Sequence, residues 1–475
     1  MIVFVTGKSP VSNPVRAVVH QLIEQKIPFF GWEEQRLPAE IPEDLEMFDA
    51  AIVDADILRA AQPGLRARLE KYALTKYLYI LRPEFAAMDL AGCETAIELD
   101  INMLAAEAGL APAEIIPLDD ATIIAGSIAR TRDWWQGHAP CLNEYHLHHI
   151  ESALAVENTP FSPAGWSREI DAAFEEILHL VSADGCHDQL GAVSLLGEYA
   201  KRTGRDDVVP KMLAVVDKIL ADRPRTPEGF LSMGGSRRDP LYFAGLGTPL
   251  WGRNTFTVLG RTLVTNELFH FYGGVFAACA AAGRPELLDE GLRIMRHIDR
   301  VHRDPADGLF FHASRGGVPV GEKWGRGNTH ALLGAFYMLR RFPGMDVSSR
   351  AEILAFLDRT GRGLIGVQAP SGLFRNVLDR PESSEETSCT VLVLYIYSWC
   401  VNRGYLAEKV YRPMLLRARD AVRRKFWHGL GSGNCVGTFP ALRNPGFYLR
   451  RRMHGYVMPL IVPALLESAR LQERR

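Results

Sequence analysis

The side chains best suited to chemistry stand in two polar clusters, each at the start of a predicted helix. Cys186-His-Asp-Gln-Leu190 opens one helix and puts Asp188 near its N-cap, where a carboxylate can act as an acid or simply cap free N–H groups. Trp324 to His330 opens another helix. Arg326 could pair a carboxylate through two hydrogen bonds, and Trp324 offers a face to a sugar ring, unless the two merely stack on each other. Together the clusters predict a pocket for an acidic sugar.

The first part of the chain alternates β-branched runs with amphipathic stretches. Ile2–Thr6, Ala50–Asp54 and Leu78–Leu81 read as strands. This order indicates βαβ units, and therefore a small Rossmann-like α/β domain over residues 1–140, followed by a connector over residues 141–165. We expect this domain to cap the rest of the molecule or to mediate a homo-oligomer.

From Trp166 onward, helical periods follow one another between glycine and proline residues. The candidate helices span residues 168–181, 189–202, 208–221, 267–282, 285–302, 329–341, 348–361, 387–402, 406–426 and 456–471, with room for one or two more before them. That number suits a toroid of paired helices better than a repeat array, because no fixed-period motif recurs. The predicted fold class is mainly α: an (α/α)6 toroid over residues 166–475, preceded by the small α/β domain.

The overall composition argues against several classes of partner. Among 475 residues, 54 Lys and Arg nearly balance 56 Asp and Glu, so no overall field attracts nucleic acid or a membrane surface. Seven cysteines without a CxxC pair, and a first segment without the pattern of a secretory signal, predict a cytoplasmic protein. No metal or cofactor is expected, and His146, His148 and His149 are predicted to be surface or interface residues of the connector.

Taken in order along the chain, the motifs resemble glycoside hydrolase families 88 and 105, from about Arg168 to Leu471. The similar segments are Asp188 with the helix ending at Thr203-Gly204, Arg223 to Gly229, Asp307 to His312, Trp324 to Asn328, Gly372 to Asp379, Glu386 to Ser388 and Cys435 to Arg450. Members of these families are unsaturated glucuronyl and rhamnogalacturonyl hydrolases, and their fold is an (α/α)6 barrel.

The resemblance implies oligosaccharide substrates whose non-reducing end is a 4,5-unsaturated uronic acid. An Asp protonates the vinyl ether at C4, water adds at C5, and the resulting hemiketal falls apart. This chemistry needs a carboxylic acid that holds a proton near neutral pH. On this chain the resemblance implies Asp188 as one of the two catalytic carboxylates. The implied sugar-binding side chains are His187, His312, Trp324, Arg326, Asn328 and His454.

Two positions depart from the family pattern. Asn266 aligns with the second catalytic Asp, and an amide cannot act as that acid. Glu267 follows it, but on a helix the next residue is turned by about 100° and faces elsewhere. His330 stands where the family commonly has Trp. The predicted catalytic positions are therefore Asp188, Asn266 and His330, with Glu267 and His270 as further substrate-binding candidates.

Three functions compete for this pocket, and all three have an acidic oligosaccharide as the partner. The leading interpretation is a glycoside hydrolase acting on unsaturated or ordinary uronides in polysaccharide breakdown. The second is a uronate lyase, in which Asn266 neutralises the substrate carboxylate and His270, Tyr272 or His330 is the base. The third is a noncatalytic sugar-binding protein that kept the pocket and lost the acid.

Overall fold

Four short strands form a parallel sheet in the first part of the chain. The computed structural model describes residues 2–5, 29–30, 50–54, 77–81, 119–137, 144–181, 191–222, 225–231, 262–265, 268–425, 430–433, 448, 454–457 and 459–473. The strands are β1 (Ile2–Val5), β2 (Phe29–Phe30), β3 (Ala50–Asp54) and β4 (Tyr77–Leu81), in the order β2-β1-β3-β4. Ile2 pairs with both Phe29 and Ala50. The three predicted strands are confirmed, whereas the helices expected between them lie outside the described residues and the Rossmann-like assignment stays a prediction.

The remainder of the described chain is mainly helical, which confirms the predicted class. Its helices are α1 (Asp120–Gly137), α2 (Glu144–Val156), α3 (Trp166–Leu180), α4 (Leu195–Thr203), α5 (Val208–Asp222), a π-helical segment (Leu268–Phe276) that continues as α6 (Ala277–Ala281), α7 (Glu286–Val301), α8 (Gly325–Arg341), α9 (Val347–Val367), α10 (Thr387–Asn402), α11 (Glu408–Lys425) and α12 (Ile461–Glu473).

Burial separates inner helices from outer ones. Helices α8 and α10 are buried around almost their whole circumference, whereas α7 and α9 bury one apolar face and leave charged residues outside. The π-helical segment packs on α8, α8 on α10, and α10 on α12. Helix α12 in turn packs against α1 and α2. Helix α2 packs on α3, α3 on α4, and α4 on α6, which continues the π-helical segment. The described helices therefore close into a ring, with one hydrophobic core running through it.

Glycines let two inner helices approach each other closely. A Cβ atom at Gly273 would lie 2.2 Å from the backbone oxygen of Gly334, and one at Gly334 would lie 2.4 Å from the backbone oxygen of Leu268. No side chain fits at those distances, so the π-helical segment and α8 meet backbone to backbone. This contact fixes the position of α8, whose first turn carries the polar cluster.

Short antiparallel sheets hold the loops between the helices. Strands β5 (Thr262–Val264), β6 (Ala313–Arg315) and β7 (Val318–Val320) form one sheet, β8 (Phe374–Arg375) and β9 (Glu385–Glu386) a second, and β10 (Leu430–Gly433) and β11 (His454–Val457) a third. Strand β7 leads towards α8, and β9 runs directly into α10. The sheets therefore organise the loops that precede two inner helices.

Helices α1 and α2 are the two further helices for which the sequence left room before residue 168, and the connector over residues 141–165 stays a prediction. His148 and His149 are buried in α2 and do not lie on the surface. Two expectations about helix starts are wrong. Helix α8 begins at Gly325 instead of residue 329. Glycine has a low helix propensity, which favoured the later start in the prediction. Packing requires the glycine here, because a Cβ at Gly325 would lie 2.6 Å from the backbone oxygen of Arg375. The last helix begins at Ile461, since residues 454–457 pair as β11 with β10.

Candidate functional site

Trp324 is held in place at the start of α8 by a distant asparagine. Its indole Nε1 donates to Oδ1 of Asn376 at 3.1 Å, and the backbone N–H of Gly325 donates to the Asn376 carbonyl at 2.8 Å. The Nδ2 of Asn376 in turn donates to the backbone oxygen of Tyr448 at 2.8 Å. Asn376 therefore joins the first turn of α8 to the C-terminal part of the chain.

His312 lies against Trp324, and Tyr448 binds one of its two ring nitrogens. Its Nδ1 is 2.6 Å from the Tyr448 hydroxyl, and its ring centroid is 4.7 Å from that of Trp324. The Tyr448 hydroxyl can donate to Nδ1 or accept from it, so this contact fixes the orientation of the ring and leaves either nitrogen able to carry its hydrogen. Within the described residues, Nε2 has no hydrogen-bond partner. Burial and then the charge of Arg326 lower the pKa of His312 to about 3, so the ring is neutral near pH 7.

Arg326 supplies the positive charge of the cluster. It is buried, and its guanidinium carbon lies 5.1 Å from the centroid of the Trp324 ring. The stacking of Arg on Trp, weighed as an alternative from the sequence, is thus present. Trp324 itself is 3 % exposed, so its face supports Arg326 and His312 and is not an open platform.

Helix α2 brings a second buried histidine to the cluster. His148 stacks on Phe269, with ring centroids 5.9 Å apart, and Phe269 lies 5.1 Å from His330, whose ring is 6.4 Å from Trp324. Burial and then the charge of Arg326 lower the pKa of His148 to about 3. Its Nε2 has no hydrogen-bond partner in the part of the chain that the structure describes. The sequence prediction missed this residue because it treated residues 141–165 as a connector.

Asn328, predicted to bind sugar, is used inside the protein. Its Oδ1 accepts from the backbone N–H of Phe310 at 2.7 Å, and its Nδ2 donates to the carbonyls of Phe310 and Trp324 at 2.8 and 3.0 Å. Both amide N–H groups are therefore occupied. Asn328 thus fixes the loop before His312 to the first turn of α8, and its role in sugar binding stays a prediction.

Lys323 fastens three loops beneath the cluster. Its ammonium is 2.7 Å from a carboxylate oxygen of Asp304, 2.5 Å from one of Asp307 and 3.2 Å from one of Asp379. Burial opposes the charge, but the hydrogen bonds to Asp304 and Asp307 outweigh it and raise the pKa of Lys323. Its carbonyl also accepts from the backbone N–H of Leu378 at 3.0 Å. The residue before Trp324 is thereby fixed.

The other predicted site residues are only partly placed. His187, Asp188, Asn266 and Glu267 lie outside the described residues. His270 is in the π-helical segment, and His454 begins β11 opposite Gly433. Within the described ranges, no group of three or more His, Cys, Asp or Glu side chains is arranged to hold a metal ion. None of the helices in those ranges combines the length and apolarity needed to cross a membrane.

Known proteins share this architecture. The unsaturated rhamnogalacturonyl hydrolase YesR of Bacillus subtilis (strain 168) is 26 % identical over 201 residues, which cover 40 % of this chain and 55 % of that protein, about half of its length. A possible member of the GH105 family from Klebsiella pneumoniae subsp. pneumoniae MGH 78578 matches with a TM-score of 0.60 at 16 % identity, covering 77 % of this chain and 95 % of that one. A glycosyl hydrolase family 88 structure from Bacteroides vulgatus gives a TM-score of 0.51 at 13 % identity, covering 75 % and 99 %.

At these identities the two solved structures show a shared fold. The family itself is shown by the sequence model of Glycosyl Hydrolase Family 88, which matches residues 167–452, more than half of the chain. That range contains the two polar clusters and the segments on which the resemblance to families 88 and 105 was based. The chain belongs to Glycosyl Hydrolase Family 88.

Proposed function

We propose that this chain is a glycoside hydrolase that acts on oligosaccharides ending in an unsaturated or ordinary uronic acid. The observation that carries the proposal is the buried, neutral His312, which lies on Trp324 beside the Arg326 cation and whose Nε2 has no partner among the described residues. In this proposal the ring hydrogen is on Nε2. A hydrogen-bond donor next to a guanidinium suits a sugar that bears a carboxylate. Membership of Family 88 and the name of the related YesR protein support the same substrate class.

In this proposal the described residues bind and orient the uronate. Arg326 attracts the carboxylate and, having five N–H donors, can engage it as well as protein groups. His312 donates from Nε2 to a carboxylate or hydroxyl oxygen of the sugar. His148 and His330 border the same space from α2 and α8. Because His148 and His312 are neutral, Arg326 provides the positive charge of this described cluster.

The chemical step is assigned to Asp188. Its carboxylic acid would give a proton to C4 of the unsaturated ring; water then adds at C5, and the hemiketal opens with release of the aglycone. Asn266 would stand at the second carboxylate position, where its amide can hold the substrate or the water by hydrogen bonds but cannot exchange a proton. One ionisable carboxylate would then serve both to protonate the ring and to activate the water.

The test follows the ultraviolet absorbance of the C4=C5 double bond. Purified protein is incubated with unsaturated uronyl disaccharides and, separately, with saturated uronic oligosaccharides. We expect absorbance to fall with the first substrate, and Asp188→Asn to abolish the fall while Asp289→Asn, an exposed control on α7, leaves it unchanged. Rising absorbance with the saturated substrates would instead indicate a lyase. Binding without turnover of unsaturated or ordinary uronides would indicate a sugar-binding protein.

We further propose that the helical ring is an (α/α)6 toroid that begins at α1, preceded by a small α/β domain that mediates a homo-oligomer in the cytoplasm. The support is the packing of α12 on α1 and α2, and the parallel order of β1 to β4. Light scattering of the full chain in solution should give a mass above that of one 52.9 kDa chain. A monomeric mass would contradict the oligomer.

A further inference from the structure

One buried side chain binds two of the residues that surround His312. The His312 ring centroid lies 4.7 Å from that of Trp324, and its Nδ1 is 2.6 Å from the Tyr448 hydroxyl. Asn376 binds both neighbours: its Oδ1 accepts from the Trp324 indole at 3.1 Å, and its Nδ2 donates to the Tyr448 carbonyl at 2.8 Å. The surroundings of the His312 ring therefore depend on Asn376 in two places.

The backbone of His312 is held by other residues. Its N–H donates to the carbonyl of Glu322 at 3.0 Å, and its carbonyl accepts from the N–H of Thr265 at 2.9 Å and from the Thr265 hydroxyl. The side-chain torsions of His312 then remain to be fixed. Contacts made by the ring fix such torsions, and both Trp324 and Tyr448 supply contacts of this kind.

The backbone around Asn376 is held without help from its side chain. The Asn376 carbonyl accepts from the Gly325 N–H at 2.8 Å, and the Asn376 N–H donates to the Ser384 carbonyl at 2.8 Å. The Leu378 N–H donates to the Lys323 carbonyl at 3.0 Å. Residues 323–325 and 376–378 are thus paired through backbone atoms. A change of the Asn376 side chain leaves these bonds in place and tests the two amide bonds.

An amide suits this position because its two ends have opposite hydrogen-bonding roles. Asn376 is 1 % exposed, so neither end can exchange its partner for bulk water. One end accepts from an indole N–H, and the other donates to a carbonyl oxygen. An ionised Asp of the same shape accepts at both ends and would oppose the Tyr448 carbonyl, and a Leu side chain can do neither. Both bonds therefore need the amide.

We propose that Asn376 is a positioning residue for the uronate site, because it holds the two neighbours of the His312 ring and so keeps that ring in the orientation that binds the sugar. The inference rests on the proposed function, in which His312 and Arg326 bind the uronate. Arg326 belongs to the same arrangement, since its guanidinium carbon lies 5.1 Å from the centroid of the Trp324 ring. The chemical step is assigned to Asp188, so loss of the amide should raise KM more than it lowers kcat.

Asn376→Ala tests the proposal, with Asn402→Ala as the matched control. The Nδ2 of Asn402, the last residue of α10, donates to the carbonyl of Glu467 at 2.8 Å and to its carboxylate at 2.7 Å. Both variants lose two amide hydrogen bonds and should be less stable than the wild type. We expect Asn376→Ala to raise KM for an unsaturated uronyl disaccharide roughly tenfold or more, whereas Asn402→Ala leaves KM and kcat unchanged.

A double-mutant cycle shows whether the effect passes through Tyr448. Asn376→Ala should reduce kcat/KM by a smaller factor in the Tyr448→Phe background than in the wild type, because the hydroxyl that the amide positions is already absent. Asn402→Ala should have the same effect in both backgrounds. Fully additive effects of Asn376→Ala and Tyr448→Phe would overturn the proposal, and so would an Asn376→Ala enzyme with the KM of the wild type.

Nuclear magnetic resonance of the full chain with isotope-labelled histidine gives a readout that needs no turnover. The ring signals of His312 are assigned with His312→Gln. Asn376→Ala should shift or broaden these signals, and Asn402→Ala should not. Asn376→Ser keeps a polar group at this position and serves the same test if Asn376→Ala fails to fold. Unchanged His312 signals would overturn the proposal, whereas changed signals in a chain that binds no uronide would overturn the proposed function and leave Asn376 as the residue that orients the ring.

Discussion

The hydroxyl of Tyr448 is the hydrogen-bond partner of His312 Nδ1, and a single-atom change tests whether that contact matters. Tyr448→Phe keeps the ring and removes the partner of Nδ1. We expect kcat/KM for an unsaturated uronyl disaccharide to fall roughly tenfold or more, because one hydrogen bond to a buried group is worth about 1–3 kcal/mol and the His312 ring is no longer held in one orientation. Steady-state kinetics measure the change, and near-ultraviolet circular dichroism checks the fold.

Tyr411→Phe is the matched control for Tyr448→Phe. Its hydroxyl donates to the Asp358 carboxylate at 2.6 Å, between the outer helices α9 and α11. The loss of that bond should lower the unfolding temperature and leave kcat/KM unchanged. If Tyr448→Phe reduced stability but not kcat/KM, His312 would have a packing role only.

At the residue scale, the sequence predicted which side chains form the cluster at the start of α8, but not the distant residues that hold them in place. Trp324 and Arg326 share one turn of helix, so a local pattern suffices to bring them together. The link from Asn376 to Tyr448 spans 72 positions, and no local spacing encodes such a contact. Asn328 has the right type for a sugar ligand, but residue type does not reveal that its amide already binds backbone atoms.

At the element scale, the backbone contact between the π-helical segment and α8 predicts an asymmetry between two glycines. In Gly334→Ala the new methyl group would meet the backbone of Leu268 at 2.4 Å, so the two inner helices must separate. We expect the free energy of unfolding to fall by about 1–3 kcal/mol, the usual cost of overpacking. In Gly366→Ala, near the end of α9, nothing lies within 4 Å and stability should rise or stay level.

Urea unfolding of the wild type and both variants measures the difference. Because both substitutions add the same methyl group to a helix, the helix-propensity gain is common to them and their difference reports the close contact. Equal stability of Gly334→Ala and Gly366→Ala would contradict the close approach of the two backbones. Activity adds a second readout, since a shifted α8 also moves Arg326.

The spacing of apolar residues predicted helix ends well where a helix has one apolar face. The outer helix α7 (Glu286–Val301) was predicted within one residue at each end, because its buried positions recur at helical spacing. Inner helices carry less information, since α8 is buried on all sides and its start depends on glycines that packing requires. Tyr456 and Val457, the last two residues of β11, were predicted to begin the last helix, because the pairing of β11 with β10 is not local.

On the scale of the whole molecule, the place where the helical ring closes is the feature that the sequence concealed. Helix α2 packs on α12, more than 300 positions away, and its histidines read as surface residues when considered alone. Leu147, Ile150 and Leu154 do recur at helical spacing and were the available signal. The mainly α class followed from composition and period, whereas the start of the ring required the packing of its two ends.

Three buried histidines make the stability of the whole molecule sensitive to mild acid. Burial, the largest cause in each case, lowers the pKa of His148, His302 and His312 from 6.5 to about 3. In the unfolded chain they take up protons near 6.5, so the unfolded state binds more protons than the folded state below that pH. Their contribution to the free energy of unfolding is complete above pH 6.5. It falls by about 1.4 kcal/mol per pH unit for each histidine as pH decreases towards 3.

Urea unfolding at about pH 7.5, 6 and 5 measures how steeply the free energy of unfolding falls with pH. His302→Gln should reduce this slope by the amount that corresponds to about one proton taken up on unfolding. His302 is buried, with Nε2 2.8 Å from the Ser314 hydroxyl. His179→Gln, at an exposed position of α3, should leave the slope as it is in the wild type. Carboxylates with lowered pKa values titrate below pH 5 and do not produce this slope. A free energy of unfolding that stays level from pH 7.5 to 5 would mean that these histidines are hydrated or already protonated in the folded protein.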